Sequence, residues 1–449
     1  MKTGVMYSRK IRHYNGIFKA TLEAYRAAVD FFIGVCLKEW DTISSVQSSK
    51  RRMNALEAMT HPTAARPKVR HCFDFSDRRF YKFPSYLRRA ACMEAIGKVS
   101  SYRSSLASWE KEGKGRQPGR PKAGRVFPCL YRGNMYLEGE GYTAQIKVYI
   151  RNTWDWITVG LRKSDVDYVL HHCGSMEESS PTLTKRGKEW FLDFLYTDQT
   201  ELPQKEAEGR RALAVDLGIN NACTCVCLLS DGTVAGRRFL HLPAEEDCLK
   251  KAVGRIRGAQ CRGNRRTPRL WAGAKGINDA IAVKTARFIM EAARQFHADV
   301  IVFEHLEMKG KARGSRKQRL HLWKSRYVQG MVENRAHREG IHISRICAWG
   351  TSRLAYDGSG RVKRGKESER TNGSYSLCEF PNGKVYNCDL NAGYNIGARY
   401  FIREIIKSLP ERERLALEAK VPAAARRSTC TLSTLISLHA VSAAEAACC

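Results

Sequence analysis

Three acidic residues stand at the ends of apolar segments, where a strand tip or a helix start would expose them. Asp216 closes the segment ALAVD, Glu304 follows VIVF, and Asp389 begins DLNAGYN. Carboxylates supply the hard oxygen ligands that Mg²⁺ or Mn²⁺ prefers. Such ions activate water and neutralise the leaving oxygen in phosphodiester hydrolysis. An ionised Glu304 directly after residues 300–303 is costly to bury unless it is paired or metal-bound. The three acids are therefore candidates for a metal-dependent hydrolytic site.

Two of these acids also have purely structural interpretations. Asp216 lies after a predicted strand and just before Gly218, a setting typical of a turn residue. Asp389 could instead be the N-cap of the helix that follows it. The separations of 304 − 216 = 88 and 389 − 304 = 85 residues permit convergence without demonstrating it. What favours a shared site is the joint fit of the three acids to one architecture.

That architecture follows from the periodicity of the segment that begins near residue 210. Three strands joined by tight turns predict an antiparallel meander, and helix, strand, helix and strand then follow in turn. This order predicts an RNase H-like domain. The predicted bounds are 212–215, 222–229, 233–240, 278–297 with Asn278 as the N-cap, 300–303, 322–339 and 341–347.

The first half of the chain predicts a different organisation. Apolar residues at three- and four-residue spacing predict helices over 17–60 and 84–110, before a break rich in Gly, Pro and charge at 113–124. Alternating patterns then predict strands at 144–150, 156–159 and 190–194. The fold class is therefore α/β and multidomain, with a helical insert beside a small β domain.

The composition predicts a polyanionic partner. The chain has 449 residues, with 77 Lys and Arg against 45 Asp and Glu, so its formal charge is 77 − 45 = +32. An apolar content of 43% is normal for folded domains and excludes a disordered basic tail protein. Nucleic acid and a membrane surface both fit such a charge.

Apolar segments and cysteine spacing indicate the cellular setting of the protein. The first twenty residues hold no signal-peptide core, and nowhere do eighteen apolar residues follow one another. The sixteen cysteines lack the spacing of a disulfide framework. We therefore expect no membrane association and a reduced, cytoplasmic setting.

Two long acid-free stretches and one short segment carry the candidate nucleic-acid contacts. Arg side chains bind phosphate bidentately, and aromatic residues among such cations suit stacked single-stranded bases. Trp323 and Tyr327 could equally belong to a helix core face. The candidates are Lys250, Lys251, Arg255, Arg257, Arg262, Arg265, Arg266 and Arg269 in 249–278; Lys309, Lys311, Arg313, Arg316, Lys317, Arg319 and Trp323 in 308–332; and Arg120 and Lys122 in 119–122.

Three segments carry a family resemblance. VDLGINN, IVFEHLE and DLNAGYNIGARY resemble the three split motifs of the RuvC-like nuclease domain in TnpB proteins. These are transposon-encoded RNA-guided DNA endonucleases, related to compact type V CRISPR effectors. The resemblance implies that Asp216, Glu304 and Asp389 form a catalytic triad that binds Mg²⁺ (or Mn²⁺). It also implies a guide RNA and double-stranded target DNA as partners.

The resemblance further implies a domain plan. We expect a monomeric prokaryotic protein associated with the nucleoid, whose first half combines a β-barrel-like wedge domain with a helical recognition domain. The implied bounds are 1–16 and 116–208 for the wedge domain, 17–115 for the recognition domain, 209–349 and 387–410 for the RuvC-like domain, 350–386 for a target-strand loading insert, and 411–449 for a C-terminal tail.

The insert departs from the family pattern. Family members carry a four-cysteine zinc ribbon here, opening just after a Thr-Ser pair, which is Thr351-Ser352 in this chain. Ala355 and Gly358 stand where the first two cysteines would be, Cys378 keeps the third place, and Pro381 falls near the fourth. This pattern lacks the cysteines that a tetrahedral thiolate site requires. We therefore expect a degenerate, metal-free insert. The alternative is a regrouped zinc site made by Cys347, Cys378, Cys388 and His342.

Three other functions remain open at this point. A compact type V CRISPR effector with a separately encoded guide RNA would use the same domain plan. An RNase H-like transposase or resolvase would cut DNA without RNA. A non-catalytic regulator would bind nucleic acid with its carboxylates in structural roles only.

Overall fold

The computed structural model describes residues 1–12, 16–62, 73–75, 80–113, 115–218, 222–264, 266–305, 324–426 and 428–448. The chain divides into two compact units. One unit spans Lys2–Asp198, and the other comprises Met1 with Gln199–Cys449. The division of each unit into the finer domains expected from the sequence stays a prediction.

The Lys2–Asp198 unit combines a helical group with two small sheets around one apolar core. Its helices are α1 (Ile17–Lys38), α2 (Trp40–Ser44), α3 (Ser49–Thr60), α4 (Ser85–Glu112) and α5 (Lys163–Cys173). Its strands are β1 (Lys2–Lys10), β2 (Tyr136–Glu138), β3 (Thr143–Ile150), β4 (Thr153–Gly160), β5 (Glu177–Glu178), β6 (Thr182–Arg186) and β7 (Glu189–Gln199).

The helix predicted over 17–60 is interrupted in the structure. It ends at Lys38, resumes briefly as α2, and begins again as α3 after Ser48, whose backbone is extended. The intervening SVQS sequence at 45–48 is poor in strong helix formers, and serine competes for backbone hydrogen bonds. The predicted break after the next helix is confirmed, because Gly113 ends α4 with a left-handed φ of 61°.

The β strands of this unit form two sheets. One has the order β1-β7-β5 with β6 also paired to β7, and the other has the order β2-β3-β4. An isolated bridge between Ile11 and Leu161 connects the strand ends of the two sheets. Closure of these sheets into a barrel stays a prediction.

The Gln199–Cys449 unit contains a five-stranded sheet, a small three-stranded sheet and helices. Its strands are β8 (Ala212–Asp216), β9 (Cys223–Leu228), β10 (Val234–Leu240), β11 (Val300–His305), β12 (His342–Cys347), β13 (Lys363–Arg364), β14 (Leu377–Glu379) and β15 (Val385–Asn387). Its described helices are α6 (Pro243–Cys261), α7 (Pro268–Gln295), α8 (Ser325–Arg338), α9 (Cys388–Ser408), α10 (Glu411–Lys420) and α11 (Leu432–Cys448).

The five-stranded sheet has the order β10-β9-β8-β11-β12. The first three strands are antiparallel, whereas β8, β11 and β12 run parallel. This is the strand order of an RNase H-like sheet, as the sequence predicts. Residues of β8 alternate between the two faces, because Ala212 and Ala214 pack with α9 and α11 while Leu213 and Val215 pack with α7 and α8.

One predicted helix start is wrong. Asn278 does not cap a helix, because α7 begins ten residues earlier at Pro268 and Asn278 lies buried inside it. In the first turn of a helix the backbone N–H groups have no acceptor within the helix. Proline, which lacks this N–H, therefore loses no hydrogen bond there.

The insert and the C-terminal segment both have regular structure. The insert forms a small antiparallel sheet in the order β13-β14-β15 around Ala355, Val362, Cys378 and Phe380. In the C-terminal segment, Leu432, Leu435 and Leu438 join the core that also holds α9. Among the described helices, none combines the length and the hydropathy that a bilayer crossing requires.

Candidate active site

Two of the three candidate acids lie side by side at one edge of the five-stranded sheet. Strands β8 and β11 pair in parallel, with Val215 opposite Phe303. Asp216 and Glu304 are the next residues on each strand, and both are half-buried. Parallel strands end at the same sheet edge, so the register brings together two acids that are 304 − 216 = 88 residues apart.

The third acid enters from the start of a helix that crosses this sheet. Asp389 lies in the first turn of α9, whose N-cap is Asn387; the Asn387 side chain accepts hydrogen bonds from the Asp389 and Leu390 N–H groups, each at 2.9 Å. The alternative that Asp389 is itself the cap is therefore wrong. A Cβ at Gly393 would lie 2.7 Å from Val226 Cγ2, so the helix can approach the sheet this closely only with glycine there.

The charges of the three acids interact. Burial raises the pKa of Asp216 well above its usual range, and the negative charges of Glu304 and Asp389 raise it further. Burial also raises the pKa of Glu304, although a hydrogen bond from Thr351 and the nearby Arg399 oppose that shift. The structure thus brings Glu304 and Asp389 close enough to Asp216 to repel its charge, which is characteristic of functional sites more often than of ordinary surfaces.

The donor set fits Mg²⁺ chemically, because three carboxylates supply hard oxygen atoms. However, the three side chains are not arranged as ligands of one ion in this structure. Across the described ranges, no group of three or more His, Cys, Asp and Glu side chains is placed so that it could hold a metal ion. Glu304 accepts a hydrogen bond at Oε1 from the Thr351 hydroxyl. The role of the three acids as metal ligands is therefore an expectation that the carboxylate chemistry supports.

The insert brings further groups to the acids. Arg364, on β13, lies near enough to Cys388 and Asp216 for its positive charge to lower the Cys388 pKa and to oppose the rise in the Asp216 pKa. Cys378 and Cys388 are both buried and lie close enough to shift each other's pKa, and the Cys378 thiol donates a 3.4 Å hydrogen bond to the Tyr386 carbonyl oxygen. Cys347, which the alternative zinc site would also require, is exposed. The structure thus places two members of that alternative set, Cys378 and Cys388, beside each other.

Sequence reasoning missed three polar residues at this site, namely Arg364, Arg399 and Gln329. Arg399 carries a lone positive charge in the apolar stretch of α9, which is a signal that could have found it. Arg364 and Gln329 have no such signal, because their positions depend on how the insert and α8 pack.

The candidate contacts on and after α6 form a uniformly exposed set of cations. No ion pair with another described residue involves these side chains, so their charge is uncompensated within the described part of the chain. They are Lys250, Lys251, Arg255, Arg257, Arg262, Arg266 and Arg269. Two further candidates, Arg120 and Lys122, are exposed in the irregular segment 116–123, which the Asp30 side chain anchors by accepting a 2.6 Å hydrogen bond from the Ala123 N–H.

The other candidate contacts lie outside the described residues. They are Arg265, Lys309, Lys311, Arg313, Arg316, Lys317, Arg319 and Trp323. Tyr327, which lies within the described α8, is 50% exposed and is not part of a helix core face.

Comparison with known proteins identifies a matching family and two relatives from one organism. Residues 5–150 match the Aq_aa04 family. The uncharacterized protein aq_aa04 of Aquifex aeolicus (strain VF5) is 32% identical over 124 residues, which cover 24% of this chain and 68% of the relative. The TnpB-like protein aq_aa05 of the same organism is 28% identical over 254 residues, 51% of this chain and 79% of that protein.

A solved structure has a similar fold. The cryo-EM structure of a Cas12f1–sgRNA–target DNA complex superimposes with a TM-score of 0.52 and 14% identity, covering 85% of this chain and 81% of that one. At this identity the likeness concerns the fold, which is mixed α/β and multidomain in both. With its matches to the two Aquifex relatives, the chain belongs to the Aq_aa04 family and is a member of the TnpB family.

Proposed function

We propose that this protein is an RNA-guided DNA endonuclease of the TnpB type, which hydrolyses phosphodiester bonds of double-stranded target DNA. The observation that carries the proposal is the convergence of Asp216, Glu304 and Asp389 at one sheet edge. Gathering three carboxylates in a half-buried place costs free energy through mutual repulsion. A bound divalent cation would relieve that repulsion, so the cluster makes physical sense as a cation site.

In this proposal Asp216, Glu304 and Asp389 hold Mg²⁺ (or Mn²⁺). The bound ion would activate a water nucleophile and stabilise the leaving oxygen. The chain itself supplies orientation and charge. Thr351 directs the Glu304 carboxylate, and Arg364 adds positive charge beside Asp216, where a phosphate would otherwise meet only anions. Partial burial excludes some of the water that would weaken these interactions.

The exposed cations of α6 support a guide RNA and a target DNA as partners. Cations without a carboxylate partner bind phosphates by releasing counterions, which gives affinity without sequence preference. Sequence would then be read by base pairing between RNA and DNA. The related Cas12f1 structure holds an sgRNA and target DNA, and we extend this pair of partners to the present chain, acting as a monomer on DNA in the prokaryotic cytoplasm.

The test is cleavage by protein purified together with the RNA of its native locus. We expect the unsubstituted chain with its RNA to cut DNA that matches the guide when Mg²⁺ is present. Asp216→Ala should retain the RNA and lose cutting, whereas the control Asp231→Ala should cut normally, because Asp231 only closes the turn between β9 and β10 through Thr233. Full cutting by Asp216→Ala would contradict the assigned site.

Two further outcomes would favour a different function for this protein. Cleavage by RNA-free protein would favour a transposase or resolvase. Binding without nicking, and with no metal dependence, would favour a regulator. Sequencing the bound RNA identifies its origin: a defined RNA with one variable end supports guiding, and transcription from a CRISPR array would indicate a type V effector instead of a transposon-encoded enzyme.

A further inference from the structure

The turn that follows β12 is fastened to the helix that begins beside Asp389. Arg399 Nη1 donates hydrogen bonds to the carbonyl oxygens of Cys347 and Trp349, at 3.0 and 2.7 Å. Asn395, one helical turn earlier on α9, donates from Nδ2 to the Thr351 carbonyl oxygen at 2.9 Å. Both side chains are buried. The backbone of the turn is therefore held by two polar residues of a single helix.

The same helix residues are themselves held by the C-terminal segment. Arg399 Nε donates to the Cys430 carbonyl oxygen at 3.0 Å, and Asn395 Oδ1 accepts from the Leu432 N–H at 3.3 Å. Each of the two side chains thus forms hydrogen bonds both to the turn and to the segment that leads into α11. Such polar networks rigidify the groups they connect, although the buried Arg399 Nη2 has no hydrogen-bond partner among the described residues.

The consequence of this fastening is the placement of one hydroxyl group. Thr351 is 2% exposed, and its Oγ1 lies 2.5 Å from Glu304 Oε1 and 3.2 Å from the Ala348 carbonyl oxygen. A hydroxyl has one hydrogen to donate. The carboxylate is the nearer and the stronger acceptor, because hydrogen bonds to ionised groups are shorter and stronger than neutral ones. The hydroxyl therefore points at Glu304.

The other contacts of Glu304 do not orient its carboxylate. Gln329 Nε2 binds Glu304 through its backbone carbonyl oxygen, at 3.1 Å, and so fixes the main chain only. Arg399 is near enough to interact electrostatically with Glu304, yet its described hydrogen bonds go to backbone oxygens. The orientation of the Glu304 side chain thus depends on Thr351.

We propose that Thr351 is a positioning residue that orients the Glu304 carboxylate for metal binding, with Asn395 and Arg399 holding Thr351 in place. This inference rests on the proposed function, because it assigns Glu304 the role of a metal ligand. Residues that orient metal ligands commonly contribute about 10–100-fold to metal affinity or activity. Thr351 should contribute on this scale although it need not touch the ion.

The test measures Mn²⁺ binding directly, by calorimetric titration of the full chain carrying its RNA. We expect Thr351→Val, which keeps the shape and removes the hydroxyl, to weaken Mn²⁺ binding by about 10–100-fold. Thr351→Ser keeps a hydroxyl and should bind Mn²⁺ nearly as well as the unsubstituted chain. The matched control is Thr285→Val, because Thr285 is also buried but donates only within its own helix, to the Ile281 carbonyl oxygen at 2.9 Å.

The outcomes separate this inference from the proposed function. If the unsubstituted chain binds no Mn²⁺, or Asp216→Ala binds it equally well, the proposed function itself fails. If Asp216→Ala loses the ion while Thr351→Val retains full affinity, the proposed function stands and the positioning role is overturned. Should Thr351→Val fail to fold, Thr351→Ala replaces it. Equal losses in the alanine and serine variants would exclude the hydroxyl as the cause and would also overturn the role.

Discussion

Replacing Asp216 by asparagine should stabilise the metal-free protein at neutral pH. Burial and the charges of Glu304 and Asp389 raise the Asp216 pKa above its ordinary, unfolded-state value. A carboxyl with a raised pKa contributes stability below its unfolded pKa and loses that contribution as pH rises through its folded pKa. At neutral pH the Asp216 carboxyl therefore destabilises the fold, because folding must either bury its charge or take up a proton. Asp216→Asn removes that cost. The advantage of the variant should shrink as the pH falls.

The same substitution should greatly reduce stabilisation by Mg²⁺. An ion present at about 100 times its Kd stabilises the folded state by about 2.7 kcal/mol. The unit that holds the acids spans residues 199–449, and for domains of about 150–250 residues each kcal/mol changes Tm by about 2–4 °C. Mg²⁺ should thus raise the Tm of the unsubstituted chain by about 5–11 °C and that of Asp216→Asn far less.

Thermal unfolding followed by tryptophan fluorescence, with EDTA or Mg²⁺ and across a pH series, measures both effects. Asp231→Asn is a control whose expected effect on stability at neutral pH has the opposite sign. Burial alone would raise the Asp231 pKa, but hydrogen bonds from Thr233 lower it, so its ionised form stabilises the fold above its unfolded pKa. That control should lower Tm at neutral pH and leave the Mg²⁺ response unchanged. A lower Tm for Asp216→Asn in EDTA at neutral pH, or an equal response of both chains to Mg²⁺, would refute the reasoning.

Two other predictions concern packing and charge. Gly393→Ala should cost about 1–3 kcal/mol of stability through overpacking, because the new Cβ would lie 2.7 Å from a buried valine methyl; the exposed helical control Gly254→Ala, with no atom within 4 Å, should raise Tm slightly. In salt titrations of RNA binding, the double variant Lys251→Ala with Arg255→Ala should reduce the slope of log K against log [salt] by about 0.7–0.9 for each phosphate that the variant no longer neutralises. Arg287→Ala, which removes a cation already paired with Glu291 at 2.8 Å, should leave that slope unchanged, and an equal effect of both variants would refute a specific role for α6.

The central sheet could be predicted from the sequence because its strands are short, apolar and separated by clear turn signals. Residues 300–303, for example, have no polar side chain before Glu304, so the strand and the acid at its end are both visible. The start of α7 was not predictable from periodicity alone. Its first turns are mostly exposed, so they lack the apolar stripe from which helices are recognised.

The sequence could predict that three acids mark the candidate site, whereas it could not predict the residues around them. Asp216, Glu304 and Asp389 mark element ends, and an ordered set of such acids is a local signal. The contact between Thr351 and Glu304 joins residues 351 − 304 = 47 positions apart. It depends on how α9 holds the turn after β12, which is tertiary packing and leaves no local pattern. The same holds for Arg364, whose position follows from the small sheet of the insert.

The order of the elements along the chain also determines when the acid cluster can form during synthesis. Asp389 follows Glu304 by 389 − 304 = 85 residues. At elongation rates of about 5–20 residues per second, the third acid is added about 4–17 s after the second. Strands β8 and β11 can pair in that interval, but α9 does not yet exist to bring Asp389 to the sheet edge. A nascent chain therefore carries an incomplete acid cluster until α9 has been made.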